Sequence, residues 1–204
     1  MKLGILLSGS GRTLVNLVEH IRDGSLDAEI RVVISSSSKC LGLKKASDLG
    51  IPTHVVRKKK SMTDEAFSQA ITHQLQFHGA ELVVLAGFLK KYLPSECYKN
   101  ACINIHPSLI PAFCGPGFYG SKVHQAVWER GCTVSGCTVH FINTEYDAGP
   151  IILQKPVELQ PEDTPDIIAR KVFEKECEAL PEAIQHVIQK KLKPNNGRVN
   201  WKAN

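Results

Sequence analysis

The feature that most limits how this chain can fold is the segment Leu82-Val83-Val84-Leu85-Ala86, which is apolar without alternation. A half-exposed strand alternates apolar and polar residues, so an unbroken run of this length predicts a strand buried on both faces. Parallel sheets sandwiched between helices produce such strands. Around it, short apolar runs near 2–7, 29–35, 53–56 and 101–106 alternate with helical patterns near 12–22, 40–48 and 63–78 and a short one near 94–99. This is the βαβ rhythm.

The rhythm changes after residue 107. A Pro- and Gly-rich loop runs to Gly120, a helix follows over about 121–130, and two β-rich stretches lie near 133–142 and 150–159. Thr164-Pro165-Asp166 then opens a long C-terminal helix, with Thr as the cap, Pro at the first helical position and an acid in the first turn. Pro181 is expected to kink it. The fold class is therefore α/β: a single-domain, Rossmann-like, mostly parallel sheet flanked by helices, with a C-terminal hairpin-like stretch and a long helix. One domain is expected over 1–192, followed by a polar tail over 193–204. At 204 residues, with 43% hydrophobic and 22% charged, such a domain buries about seven-tenths of its unfolded surface without a disulfide or metal staple.

Composition narrows the setting. Seven Cys, an odd number without a CxxC pair, sit mostly beside apolar residues and read as reduced thiols. The N-terminal apolar run is too short for a signal segment and no stretch approaches the roughly 20 apolar residues of a membrane span, so a cytoplasmic location is expected. The net charge of +5 suits anionic small molecules. Arg57-Lys58-Lys59-Lys60 is the one basic run, and 6% aromatics supply no stacking platform for nucleic acid.

Three motifs can carry chemistry. Ser8-Gly9-Ser10-Gly11-Arg12-Thr13-Leu14 follows the first strand and opens the first helix, where backbone amides can hold a phosphate or carboxylate. Leu14 stands where a dinucleotide fingerprint needs its third Gly, and Ser35 to Ser38 stand where it needs an acid, which disfavours a nicotinamide cofactor. The Walker pattern is absent as well. Asn104-Ile105-His106-Pro107-Ser108 ends an otherwise apolar strand; residues two apart share a face, so Asn104 and His106 project together and suit a developing oxyanion. The third is Asp147, in the turn Glu145-Tyr146-Asp147-Ala148-Gly149-Pro150. A carboxylate beside His106 would orient it and raise its pKa, whereas Asp before Ala-Gly-Pro is otherwise an ordinary turn former. The scattered His and Cys residues show no metal-ligand spacing.

Together with Val84-Leu85-Ala86-Gly87-Phe88 and Val139-His140-Phe141, these blocks resemble the phosphoribosylglycinamide formyltransferases, folate-dependent enzymes of purine biosynthesis, over residues 2 to about 190. The resemblance implies that the amine of glycinamide ribonucleotide attacks the formyl carbon of 10-formyltetrahydrofolate, a co-substrate, through a tetrahedral intermediate and with no metal. Asn104 and His106 would stabilise the oxyanion, and Asp147 would keep His106 protonated and help move the proton. Gly11, Arg12 and Thr13 would hold the substrate phosphate and Glu176 would reach its ribose. The folate would take the backbone of Leu89, Lys90, Lys91 and Tyr92, with Leu85, Phe88 and Ile142 lining a pterin slot beside Asn104. Thr138 and His140 would support the site from behind. The implied partners are these two small molecules, with neither nucleic acid nor membrane, in a monomer or homodimer.

The chain departs from the family in places. Arg12-Thr13 stand where many members carry Ser-Asn, and Asp64 falls where the family often places a substrate-binding Arg, for which Arg12 or one of Lys58 to Lys60 is expected to substitute. The Cys114–Gly120 segment is long and glycine-rich and is expected to act as a lid. Other readings are a formyltransferase for a different amine, a non-catalytic folate- or nucleotide-binding module, and catalysis by Cys114 or Cys137, which lacks a flanking signature.

Overall fold

The computed structural model describes residues 1–190, 192, 194–195 and 197–199. They form two compact units, Met1–Asn104 and Ile105–Asn204. The first contains β1 (Lys2–Leu6), α1 (Arg12–Arg22), β2 (Glu29–Ser35), α2 (Leu41–Asp48), β3 (Thr53–Val55), α3 (Asp64–Phe77), β4 (Leu82–Leu85) and a 3-10 turn (Glu96–Tyr98). It ends in β5 (Cys102–His106), whose last two residues belong to the second unit.

The first unit's strands run in the order β3-β2-β1-β4-β5, all parallel. All four residues of β4 are buried, as its unbroken apolar run requires. Helices cover the sheet because their starts are encoded. Thr63 caps α3 by accepting the amide of Ala66 at 3.2 Å, with Asp64 and Glu65 in the first turn, and Phe67, Ile71 and Leu75 face inward at helical spacing, each 0% exposed. The chain reverses direction in the order between β1 and β4, and ligands bind α/β sheets at the carboxyl ends flanking such a switch. The loop after β1 and the segment after β4 meet there: the Ser8 amide donates to the Gly87 carbonyl at 3.1 Å and the Leu89 amide to Ser8 Oγ at 3.0 Å.

In the second unit the order continues from the end of β5 through β6 (Val134–Phe141) to β7 (Ile151–Glu158), which pair antiparallel. β6 is buried at all but its first position, while β7 alternates and so lies at the sheet's edge. Helices α4 (Ser121–Arg130) and α5 (Pro165–Lys190) complete the unit. Thr164 caps α5, accepting the Ile167 amide at 3.4 Å, and the helix continues past Pro181 without interruption. The expected polar tail carries a short ladder of β8 (Pro194–Asn195) and β9 (Arg198–Val199); its remaining residues, 193, 196 and 200–204, lie outside the described residues. Among the described residues, no helix is long and apolar enough to cross a membrane.

Gly11 shows how closely the turn after β1 is built. It caps α1 at φ 73, and a Cβ there would sit 2.6 Å from Gly42 Cα. Both the left-handed backbone and the close approach to the start of α2 exclude a side chain. Gly11→Ala is expected to lower unfolding free energy by at least about 1–2 kcal/mol, the cost of a left-handed non-glycine residue, measured by urea denaturation; an unchanged midpoint would contradict this packing.

Candidate active site

Two sets of functional side chains form, one in each unit. In the first, the turn Gly9–Gly11 is held against α2, since the Gly9 carbonyl accepts from the Gly42 amide and from Cys40 Sγ, both at 3.1 Å. Gly11 offers no side-chain cap to α1, and the first turn holds no acid. The helix dipole favours negative charge at this end of α1. Arg12 is exposed and Thr13 half-buried.

The segment Leu89–Tyr92 is fastened to this turn through Ser8. Leu89 and Lys90 are exposed, but the Tyr92 side chain is 3% exposed, and its hydroxyl lies 3.0 Å from Thr72 Oγ1. Burial raises the Tyr92 phenol far above its ordinary value. Only the backbone of residue 92 is available to a ligand. Leu85 is buried, and Phe88 stacks on Phe67 with ring centroids 6.3 Å apart.

The second unit gathers three titratable groups in a dry place. β5 delivers His106, 4% exposed, and β6 delivers His140, 2% exposed. Between them stands Asp147, from the turn joining β6 to β7. Its Oδ2 is 3.6 Å from His106 Nδ1 and its Oδ1 is 3.7 Å from His140 Nε2. The other nitrogen of each ring meets a backbone carbonyl, His106 Nε2 with Phe113 at 2.9 Å and His140 Nδ1 with Phe141 at 2.8 Å. A carbonyl only accepts, so those nitrogens carry protons. Each ring therefore turns its second nitrogen toward Asp147, where a proton on it would sit beside a carboxylate that stabilises the charge.

The backbone pays for this arrangement in strain. Asp147 sits at φ 54 and Phe113 at φ 49, the two non-glycine residues with positive φ among those described, and both touch this cluster. Strain of this kind persists where the surroundings over-determine it, and it concentrates at functional sites. The surroundings are visible: the Gly115 amide donates to Asp147 Oδ2 at 2.8 Å, and a Cβ on Gly149 would fall 1.8 Å from the Phe141 carbonyl oxygen, so the turn closes only with glycine there. Ser108 Oγ donates to the Ala112 carbonyl at 2.6 Å. Thr138 Oγ1 donates to the Ser108 carbonyl at 2.7 Å and accepts from the Ile110 amide and from Gln154, fixing the strand-to-loop corner.

Electrostatics follow from the geometry. Burial raises the Asp147 pKa, but the bond from His140, the charge of His106 and the Gly115 amide together outweigh it and leave the carboxyl below its ordinary value. Burial lowers the His106 pKa; Asp147 and the Phe113 carbonyl oppose this without reversing it. Asp147 thus acts on His106 in the expected direction, and desolvation is the larger effect.

A family model for the formyl transferases matches residues 1–184. The chain belongs to this family. It is 35% identical over 94% of its length to the chloroplastic phosphoribosylglycinamide formyltransferase of Arabidopsis thaliana, covering 67% of that protein, and 32% identical to the Haemophilus influenzae phosphoribosylglycinamide formyltransferase, covering 94% of this chain and 89% of that one. The crystal structure of glycinamide ribonucleotide transformylase 1 from Symbiobacterium toebii superimposes with a TM-score of 0.89 at 33% identity, over 98% of this chain and 93% of that one. The chain also matches trifunctional purine biosynthetic proteins such as that of Bos taurus, of whose length it spans 20%.

Of the residues named from the sequence, the second unit brings together His106, His140 and Asp147, with Thr138 bracing the corner beside them. Glu176 is half-buried on α5, and Ile142 follows β6. Asn104, half-buried, shares a face of β5 with His106. Asp64 is ion-paired with Lys58, so that lysine is partly neutralised rather than free to replace an arginine. Sequence reasoning did not anticipate the Phe113 carbonyl, the Gly115 amide or Ser108, since backbone groups of an irregular loop leave no residue-type signature. Among the described residues, no cluster of three or more His, Cys, Asp or Glu could hold a metal ion.

The lowered His106 pKa has a measurable sign. The unfolded imidazole takes its proton near pH 6.5, the folded one only at lower pH, so the stability contribution is full above that value and is lost as pH falls through the folded pKa. His106→Gln is expected to lose less unfolding free energy than the wild type between pH 7.5 and 5.5 in urea titrations. His78, half-buried and also lowered, contributes equally to both proteins and cancels. Equal losses would contradict the burial argument.

Proposed function

We propose that this protein transfers the formyl group of 10-formyltetrahydrofolate to the amine of glycinamide ribonucleotide, a step of purine biosynthesis. The observation that carries the reading is the Asp147 carboxylate, strained at φ 54 and set between two buried imidazoles, in a chain of the formyl transferase family. Attack of the amine on the formyl carbon makes a tetrahedral intermediate with a negative oxygen and a positive nitrogen. Asn104 donates a neutral N–H to the oxygen, and His106 donates from Nε2. Asp147 favours the imidazolium form of His106 and helps move the proton that the attacking amine releases to the departing folate nitrogen.

In this reading the Phe113 carbonyl, which accepts from His106 Nε2 in the structure, yields that N–H to the oxyanion. The strained backbone at Phe113 and the glycines at 115, 117 and 120 give the loop a means of moving, which fits a lid that excludes water from the formyl group. The amides at Gly11, Arg12 and Thr13 receive the substrate phosphate, Glu176 the ribose, and the backbone of Leu89 to Tyr92 the folate, with Leu85, Phe88 and Ile142 around the pterin. The partners are these two small molecules, used without a metal.

The test is direct. With both substrates supplied, wild-type protein is expected to release the deformylated folate and the formylated ribonucleotide in equal amounts. Asn104→Ala and His106→Ala are each expected to lower kcat at least about a hundredfold, the usual effect of losing one oxyanion donor, about 2.7–4 kcal/mol. Near-normal turnover in either variant, or formate release without acceptor formylation, would overturn the assignment.

A further inference from the structure

Helix α3 carries two buried hydroxyls that no step of the formyl transfer uses. Ser68 and Thr72, four residues apart and so on one side of the helix, are 3% and 6% exposed. Both turn to the segment that follows β4. Ser68 Oγ donates to the Asp64 carbonyl at 2.7 Å, which commits its proton and leaves its lone pairs to accept the Leu93 amide at 2.9 Å. Thr72 Oγ1 lies 3.0 Å from the Tyr92 hydroxyl in a buried contact. Beside Ser68, the Phe67 ring stacks on Phe88 with an interplanar angle of 4°. Together with the bond from the Leu89 amide to Ser8 Oγ, these contacts hold the chain at 88, 89, 92 and 93.

We infer that Thr72 is a positioning residue for the formyl donor: by giving the buried Tyr92 phenol its partner, it keeps the backbone of residues 89–92 in the shape that the folate reads. The inference rests on the reading given under Proposed function. A ligand held by backbone amides and carbonyls gains most when those groups are already aimed, because a loose segment must be ordered at the moment of binding. Leu89 is 56% exposed and Lys90 is exposed as well, so little packing of their own holds them, and their conformation depends on the anchors at either side. Of those anchors, the Tyr92 hydroxyl lies deepest, on a residue that is 3% exposed, and a phenol so placed needs a hydrogen-bond partner. With Thr72 unable to bond, that oxygen is unsatisfied in a dry place. The segment then gains by carrying Tyr92 outward to water, which draws the adjoining backbone away from the folate. The apparent donor affinity falls with the fraction of molecules that keep the competent shape. The contacts of the substrate phosphate at Gly11 to Thr13 are not disturbed.

The experiment compares wild-type protein with Thr72→Val, which keeps the side chain's shape and removes its hydroxyl, and with Thr72→Ser, which keeps the hydroxyl; folding is checked by thermal melting. A neutral hydrogen bond is worth a factor of about two to ten, so Thr72→Val is expected to raise the KM for 10-formyltetrahydrofolate about three- to tenfold, with kcat and the KM for glycinamide ribonucleotide unchanged. Thr72→Ser is expected to hold the donor KM within about twofold of wild type. Thr72→Val/Tyr92→Phe, in which neither partner is left unsatisfied, is expected to bring the donor KM back toward the wild-type value. An unchanged donor KM in folded Thr72→Val, or a parallel rise for both substrates, which is what a general loosening of the fold produces, would overturn the inference. Calorimetric binding of tetrahydrofolate, the released form of the donor, separates this outcome from failure of the catalytic reading. Wild type is expected to bind it and Thr72→Val to bind it more weakly by the same factor as the KM, whether or not formyl transfer occurs. Equal binding by the two proteins rejects the role of Thr72 alone, whereas a wild type that binds no tetrahydrofolate rejects the folate reading and this inference with it.

Discussion

A carboxylate in a dry pocket is costly unless every lone pair finds a partner. Asp147 meets that demand with two imidazoles and one backbone amide, and much of the second unit is arranged to supply them. β5 must end at His106, β6 must bury His140 one residue before its own end at Phe141, and the loop after β5 must bring the Gly115 amide back. Thr138 and Ser108, with both hydroxyls engaged, hold the corner from which that loop departs. The left-handed backbone at Asp147 and the glycine at 149 are the local consequences of forcing a carboxylate into that position.

The same arrangement explains why the site can handle protons. Each ring is oriented by a carbonyl at one nitrogen and turns the other to the carboxylate. Burial lowers the His106 pKa while Asp147 opposes it, and the Asp147 carboxyl is held below its ordinary value by the groups around it.

The fold was legible in the sequence because its signals are local. The unalternating run at 82–86 contains β4, Thr164 caps the helix it was expected to open, and the β-rich stretch near 150–159 is β7. The chemistry of Asn104 and His106 was also readable, since strand geometry puts residues two apart on one face. What the residues alone could not provide was the contact between His106 and Asp147, which are separated by forty-one positions and by an irregular loop; only family resemblance suggested it. The Phe113 and Gly115 backbone contacts had no signal of any kind, and the ladder at Pro194–Val199 stood where a polar composition suggested a tail. Asp64 illustrates a different limit: the sequence showed that an expected arginine was missing, but the pairing with Lys58 depends on the distance between two side chains.

Asp147→Asn tests the central claim with the fewest side effects, because asparagine tolerates the left-handed backbone as well as aspartate does and preserves the side chain's shape while removing its charge. The account predicts that kcat for formyl transfer falls by roughly a hundredfold or more, as for loss of general acid–base assistance, with the melting temperature held within a few degrees. Turnover within a few-fold of wild type in a folded Asp147→Asn protein would show that the charge between the two histidines is not what the site depends on.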